Sequence, residues 1–333
     1  MTGPCFTRGG LIMTQNAAGK KKTAITIVVV LAVIIAALVI INIVVGGKLL
    51  TPANIRAMIQ ATTAPTLVGF GFLIVFTGNI TDLSPGSIII VASTVAGLSC
   101  VSFGPVVMLI MGILTGIGCM LLNFTIYRVT KVPPWIAGLG MAMVYEAIIG
   151  AYAGWCASNK QKVVTLTGDQ RVFGTEPVIY IILIAGIVIA YILYNRTNWG
   201  VNYRAVGDNE EVAKIMGINP TKAIILAGIA AGFFFGFAAV VKEGYAGFAN
   251  AASGLTSLST CFQPMAAVLL AMALGGIMNV VIAVPISCFL IVIIFNVLTL
   301  LGVPSGTFQD TLLGLILIVF AIFANRKTKG VVK

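Results

Sequence analysis

The chain has 333 residues, 59% hydrophobic and only 9% charged, with 20 Lys and Arg against 9 Asp and Glu and no histidine. A soluble domain carries roughly 25% charged residues, so most of this surface does not face water. The lack of histidine removes the Ser-His-Asp triad, imidazole acid–base catalysis and most metal sites. The six cysteines show no zinc-type spacing.

A spanning helix needs roughly 20 apolar residues. Residues 1–23 read as a tail ending in Lys20, Lys21 and Lys22, with Met13 as an alternative first residue. Residues 24–45 then form a first span, too long for the apolar core of a signal peptide. A second span is expected at 57–76 and a third at 84–101, joined by GNITDLSPGS. Here Ser84 reads as an N-cap and Pro85 as the first helical residue. Asp82 adds negative charge near the positive helix end. The alternative is that Asn79, Asp82 and Ser84 line a polar path, because irregular backbone at membrane depth is tolerated beside a cavity. Spans at 105–127 and 135–152 follow. The fifth carries Glu146 with no nearby basic residue, so that the acid is protonated, reaches the outer face or lines the path. Trp135, Tyr152, Trp155 and Trp199 read as interfacial anchors.

After a sixth span at 178–195 comes a charged loop, 196–221. Its centre predicts one short amphipathic helix capped by Asp208 or Asn209, with Glu210 and Glu211 at its positive end. Val212, Ile215 and Met216 share one face, and Gly217 and Pro220 stop the helix. A helix this short needs something to cover its apolar face. That cover is either the chain's own membrane domain and lipid headgroups, or a groove on a cytoplasmic partner. The seventh span, 222–242, holds Gly228, Gly232 and Gly236 at every fourth residue. This stripe, like Gly112 and Gly116, reads as a close helix-packing surface. Spans at 260–275, short enough to be tilted or incomplete, then 277–302 and 308–325 complete a set of about ten, and 326–333 form a basic tail. Asp310 reads as a cap near the start of the last span.

With the N-terminus inside and ten spans, fourteen of the twenty Lys and Arg fall on the inner side. Cytoplasmic chain carries such an excess. The reading is therefore an all-α polytopic plasma-membrane protein with both termini cytoplasmic. The charge of +11 reflects this bias, and nucleic acid is not expected as a partner. Lys242 is placed in an outer loop.

RAVGDNEEVAKIMGIN resembles the cytoplasmic loop of ribose-type and simple-sugar ABC importer permeases, matching at Ala205, Gly207, Asn209, Ala213, Gly217 and Ile218. Asp82, Leu83, Ser84, Gly86 and Ser87 match the family's Asp-Leu-Ser-x-Gly-Ser element. The resemblance implies a transmembrane permease domain over 24–325 that binds no cofactor and is not an enzyme. ATP would be hydrolysed by two cytoplasmic ATP-binding subunits. A second permease subunit, identical or paralogous, and an extracytoplasmic solute-binding protein would complete an importer of a small polar solute such as a monosaccharide. Asn209, Glu210, Glu211, Val212, Ala213, Ile215, Met216 and Gly217 would form the coupling helix, with Glu210 and Glu211 meeting basic groups on the ATPase. No G-x-x-x-x-G-K-[ST] phosphate loop is present. The chain departs from the family in TCFQPMAAVLLAMALGGIMN, where the family's acid is replaced around Phe262-Gln263-Pro264. The competing class is a proton-coupled secondary transporter using Glu146 or Asp82. A membrane-embedded enzyme is disfavoured by the missing histidine and the missing G-x-S-x-G elbow.

Overall fold

A computed structural model describes residues 39, 42–43, 45–249, 254–303 and 306–325. The expected tails 1–23 and 326–333, and nearly all of the expected first span, lie outside the described residues. Within them the chain is all-helical, with one isolated antiparallel bridge, Thr165 to Phe248. The eleven α-helices are α1 (Pro52–Thr77), α2 (Pro85–Phe103), α3 (Pro105–Thr130), α4 (Pro134–Ser158), α5 (Val178–Tyr191), α6 (Asn198–Asp208), α7 (Glu210–Ile215), α8 (Pro220–Ala246), α9 (Ser259–Leu274), α10 (Val280–Leu300) and α11 (Thr307–Asn325). Among the described residues eight helical segments are long and apolar enough to cross a bilayer, and α11 contains a shorter apolar stretch, Phe308–Ile322. The chain is a multi-pass membrane protein.

Proline starts five of these helices, at Pro52, Pro85, Pro105, Pro134 and Pro220. Its fixed φ suits the first helical position, and its missing N–H would have no partner there anyway. Between α2 and α3 the chain turns at Gly104, whose φ of 88° lies in the region that favours glycine. In hydrocarbon every other orphan backbone group needs a protein partner, and polar side chains supply several. Asn219 accepts from the Lys222 N–H at 3.1 Å and Asn279 from the Val281 N–H at 3.0 Å.

Helices α1 and α8 form the centre: 67% and 72% of their spanning windows are buried, against 22% for α3. The α3–α8 contact is made backbone to backbone. A Cβ on Gly232 would lie 2.6 Å from the Gly116 carbonyl oxygen, and one on Gly116 2.6 Å from the Gly236 Cα. The two glycine stripes therefore face each other, while Gly228 packs on the Phe124 ring.

Two local expectations change. The loop 196–221 folds as two helices, α6 and α7, separated by Asn209. The expected span 222–242 runs on to Ala246, so Lys242 and Glu243 belong to α8. Gly247, with φ of 79°, supplies the left-handed stop, and its N–H donates to the Glu243 carbonyl. Trp199, expected as an anchor, is also packed: its indole N–H donates to the Ala223 carbonyl and its ring stacks on Tyr203 at 5.3 Å.

Candidate functional site

Three features built from the sequence motifs lie along the bundle. The first is a buried polar junction at the α1–α2 break. Asp82 and Ser84 are fully buried. The Ser84 side chain does not cap α2, contrary to expectation. Instead Asp82 Oδ1 accepts the Ser84 N–H at 2.8 Å, an Asx-type turn that takes the donor a cap would have left free. Asn123 of α3 donates to Ser84 Oγ at 2.5 Å, and the Tyr145 hydroxyl of α4 donates to Asn123 Oδ1 at 2.9 Å. Four residues from three elements, the α1–α2 break, α3 and α4, thus share one network in which no member faces solvent. Asn79 stands apart from it, exposed and in the left-handed region at φ 54°.

Glu146, next to Tyr145 on α4, turns to a different break. Its carboxylate accepts the N–H groups of Leu255 at 2.8 Å and Ser257 at 2.9 Å. These head the 3₁₀ turn Thr256–Leu258 that leads into α9, where helix-start donors need partners. Twelve residues from Pro134, the acid sits about 18 Å along α4, so α9 starts deep in the bundle. Gly86 of α2 allows the Ser257 carbonyl to approach. One helix, α4, therefore holds both breaks with adjacent residues.

The second feature is a cavity of about 370 Å³ between α1, α2, α8 and α9. Its walls are largely apolar, with Gln60, Lys242, Tyr245, Thr260 and Gln263 as the polar lining. That composition and size suit a small ligand. None of Asn79, Asp82, Ser84 or Glu146 lines it. The residues that do were missed because Lys242 was assigned to a loop. Gln263, however, falls in the stretch where the chain departs from its family resemblance.

The third feature is the α6–α7 stub. Gly207 of α6 packs directly on the Thr77 carbonyl at the end of α1. Asn209 caps α7, its Oδ1 accepting the Glu211 and Val212 N–H groups at 3.0 and 3.1 Å. Gly217, at φ 82°, ends it. Glu210 is engaged within the chain: Arg128 at the end of α3 donates to its carboxylate at 2.8 Å, and Lys214 lies 3.6 Å away. Arg128 also donates to Thr221 Oγ1 at 3.0 and 3.1 Å, tying α3, α7 and α8 together. The Arg128 hydrogen bond holds the Glu210 carboxyl below the ordinary glutamate range. The charged pair is therefore complete at neutral pH and is lost as pH falls through that lowered value. Ala213 is fully buried against the bundle. Val212, Ile215 and Met216 point outward, 49%, 85% and 69% exposed.

The sequence from residue 54 to 321 matches the family described as the permease component of the branched-chain amino acid transport system. The chain belongs to this permease family. It is similar to the fructose import permease protein of Rhizobium meliloti, at 28% identity over 55% of this chain and 54% of that protein. It is also similar to the ribose import permease protein of Bacillus subtilis, at 28% identity over 85% of this chain and 88% of that protein. The galactose/methyl galactoside import permease protein of Escherichia coli is 26% identical over 82% and 84%. No solved structure matches the chain. These three relatives are sugar import permeases although the family description names amino acids, and an autoinducer 2 import system permease protein of Yersinia enterocolitica is also similar, at 26% identity over 76% of this chain and 70% of that protein. The permease is a transmembrane transport subunit of the ABC importer class and not an enzyme.

Proposed function

We propose that this permease forms the translocation path of a binding-protein-dependent importer for a small hydroxylated solute of monosaccharide size, and that α7 receives the drive from a separate cytoplasmic ATPase. The observation that carries the reading is the outward apolar face of Val212, Ile215 and Met216 on a helix fixed from behind by Asn209, Arg128 and Ala213. A rigidly mounted, uncovered amphipathic stub fits the helix-in-groove mode of recognition. In this reading α6, α7 and both termini are cytoplasmic, a second permease subunit completes the path, and a solute-binding protein delivers the solute from outside. Movement of α6 and α7 reaches the bundle through three contacts: Glu210 to Arg128 on α3, Arg128 onward to Thr221 on α8, and Gly207 of α6 against the end of α1. The α1–α2 break then links that end to the junction held by α4. Alternating access follows from two permease halves rocking about the central helices. Asp82 and Glu146 are each tied to backbone N–H groups, which argues against either as a proton carrier.

The test is reconstitution in proteoliposomes with an ATPase pair and a binding protein from the same importer, against a panel of neutral and acidic monosaccharides. Accumulation of at least one solute is expected only with internal ATP and both partners. Accumulation by the permease alone under an imposed proton gradient would contradict the reading.

A further inference from the structure

Lys242 is the one charged residue lining the 370 Å³ cavity. It is half-buried near the end of α8 and has no ion pair among the described residues. A lysine lining a largely apolar cavity is costly to leave without a partner. No neighbouring acid forms a salt bridge with it among the described residues. Glu243, next in sequence, is within electrostatic reach of Lys242, but its carboxylate is directed at α2 outside the cavity lining, where its Oε1 would lie 3.2 Å from a Cβ placed on Gly97. Glu176 stands outside the lining and accepts the Gln60 amide at 2.6 Å and the Tyr180 hydroxyl at 2.7 Å. Asp82 is fully buried and hydrogen-bonded at the α1–α2 break. Around the lysine stand hydrogen-bonding groups. The Gln263 amide of α9 has no hydrogen bond to any described residue, and Tyr245 lies on the α8 wall with Lys242. Thr260 donates its hydroxyl to the Ser257 carbonyl at 2.7 Å, which leaves its oxygen as an acceptor.

We propose that the cavity selects a small hydroxylated anion, with Lys242 pairing the negative group and Gln263, Tyr245 and Thr260 meeting the hydroxyls. This rests on the importer reading for its place in transport, but the binding chemistry stands on the cavity. Carboxylate and phosphate share the charge that Lys242 recognises, so both are tested.

Full-length chain in lipid nanodiscs is assayed for equilibrium binding of radiolabelled D-glucuronate, D-ribose 5-phosphate and their neutral counterparts D-glucose and D-ribose. At least one anion is expected to bind about tenfold or more tighter than its neutral counterpart. Lys242→Met is expected to erase that preference and Lys242→Arg to keep it. Gln263→Leu is expected to weaken the anion and its neutral counterpart alike, which separates hydroxyl recognition from charge. Comparison of the two anions identifies the preferred group. Equal binding of charged and neutral probes, absence of anion binding, or an anion preference that survives Lys242→Met in a chain of unchanged thermal midpoint would overturn the proposal. ATP-driven uptake of neutral sugars alongside any of these results would leave the importer reading standing.

Discussion

Replacing Ile215 and Met216 together by aspartate is expected to abolish ATP-driven uptake while leaving the permease folded and inserted. Both side chains are largely exposed and nothing else in the described chain rests on them. Surface substitutions of this kind usually change stability by no more than about 0.5 kcal/mol. A carboxylate driven into an apolar groove without a partner is a different matter, costing about 2 kcal/mol or more each. Two such penalties correspond to roughly a thousandfold loss of docking affinity. Uptake in the reconstituted importer and co-purification of the ATPase with the permease measure the effect. The thermal midpoint of the isolated permease serves as the control and is expected not to move. Retained uptake with retained co-purification would show that the ATPase grips a different surface.

Gly116→Ala is expected to destabilise the bundle by about 3 kcal/mol, near the upper end for overpacking. The added methyl would meet backbone atoms of α8, with the Gly236 N and Cα each 2.6 Å away. Neither can rotate aside as a flexible side chain would, so α3 and α8 must separate along the whole crossing. Gly118, two residues on and on the same helix, has no atom within 4 Å of the corresponding position. Gly118→Ala is therefore expected to be neutral or stabilising by up to about 1 kcal/mol, because alanine restricts the unfolded chain. Thermal midpoints in one detergent compare the two. A similar fall for both would mean that the face-to-face glycine contact is not what holds these helices together.

The bundle was legible in the sequence because hydrocarbon imposes one requirement, about 20 apolar residues with internally satisfied backbone, and the breaks carry proline, glycine or charge. The ends of α7 were equally legible, since Asn209 and Gly217 act on backbone within three residues of themselves. Legibility failed where the deciding partner is distant in sequence. Glu146 is held by N–H groups more than 100 residues away, and no local pattern announces that. The Arg128 partner of Glu210, 82 residues earlier in the chain, was invisible for the same reason. At Ser84 the hydroxyl accepts from Asn123, 39 residues later, instead of capping α2, and Asp82 takes the Ser84 N–H. Lys242 and Glu243 were lost by reading the charge pair as the end of the seventh span, although the glycine stop lies four residues beyond Glu243. Asn123 and Tyr145, which complete the buried junction, were visible as polar groups within spans, where such groups tend to bond across helices.

The central claim is that the α7 apolar face lies on the cytoplasmic side and is covered by the ATPase. The most direct measurement is maleimide labelling of Ile215→Cys, with the native cysteines replaced, in oriented vesicles using a membrane-impermeant reagent. Labelling is expected in inside-out vesicles only, and to fall sharply when the ATPase subunits are bound. Labelling in right-side-out vesicles, or labelling unchanged by the ATPase, would contradict the account.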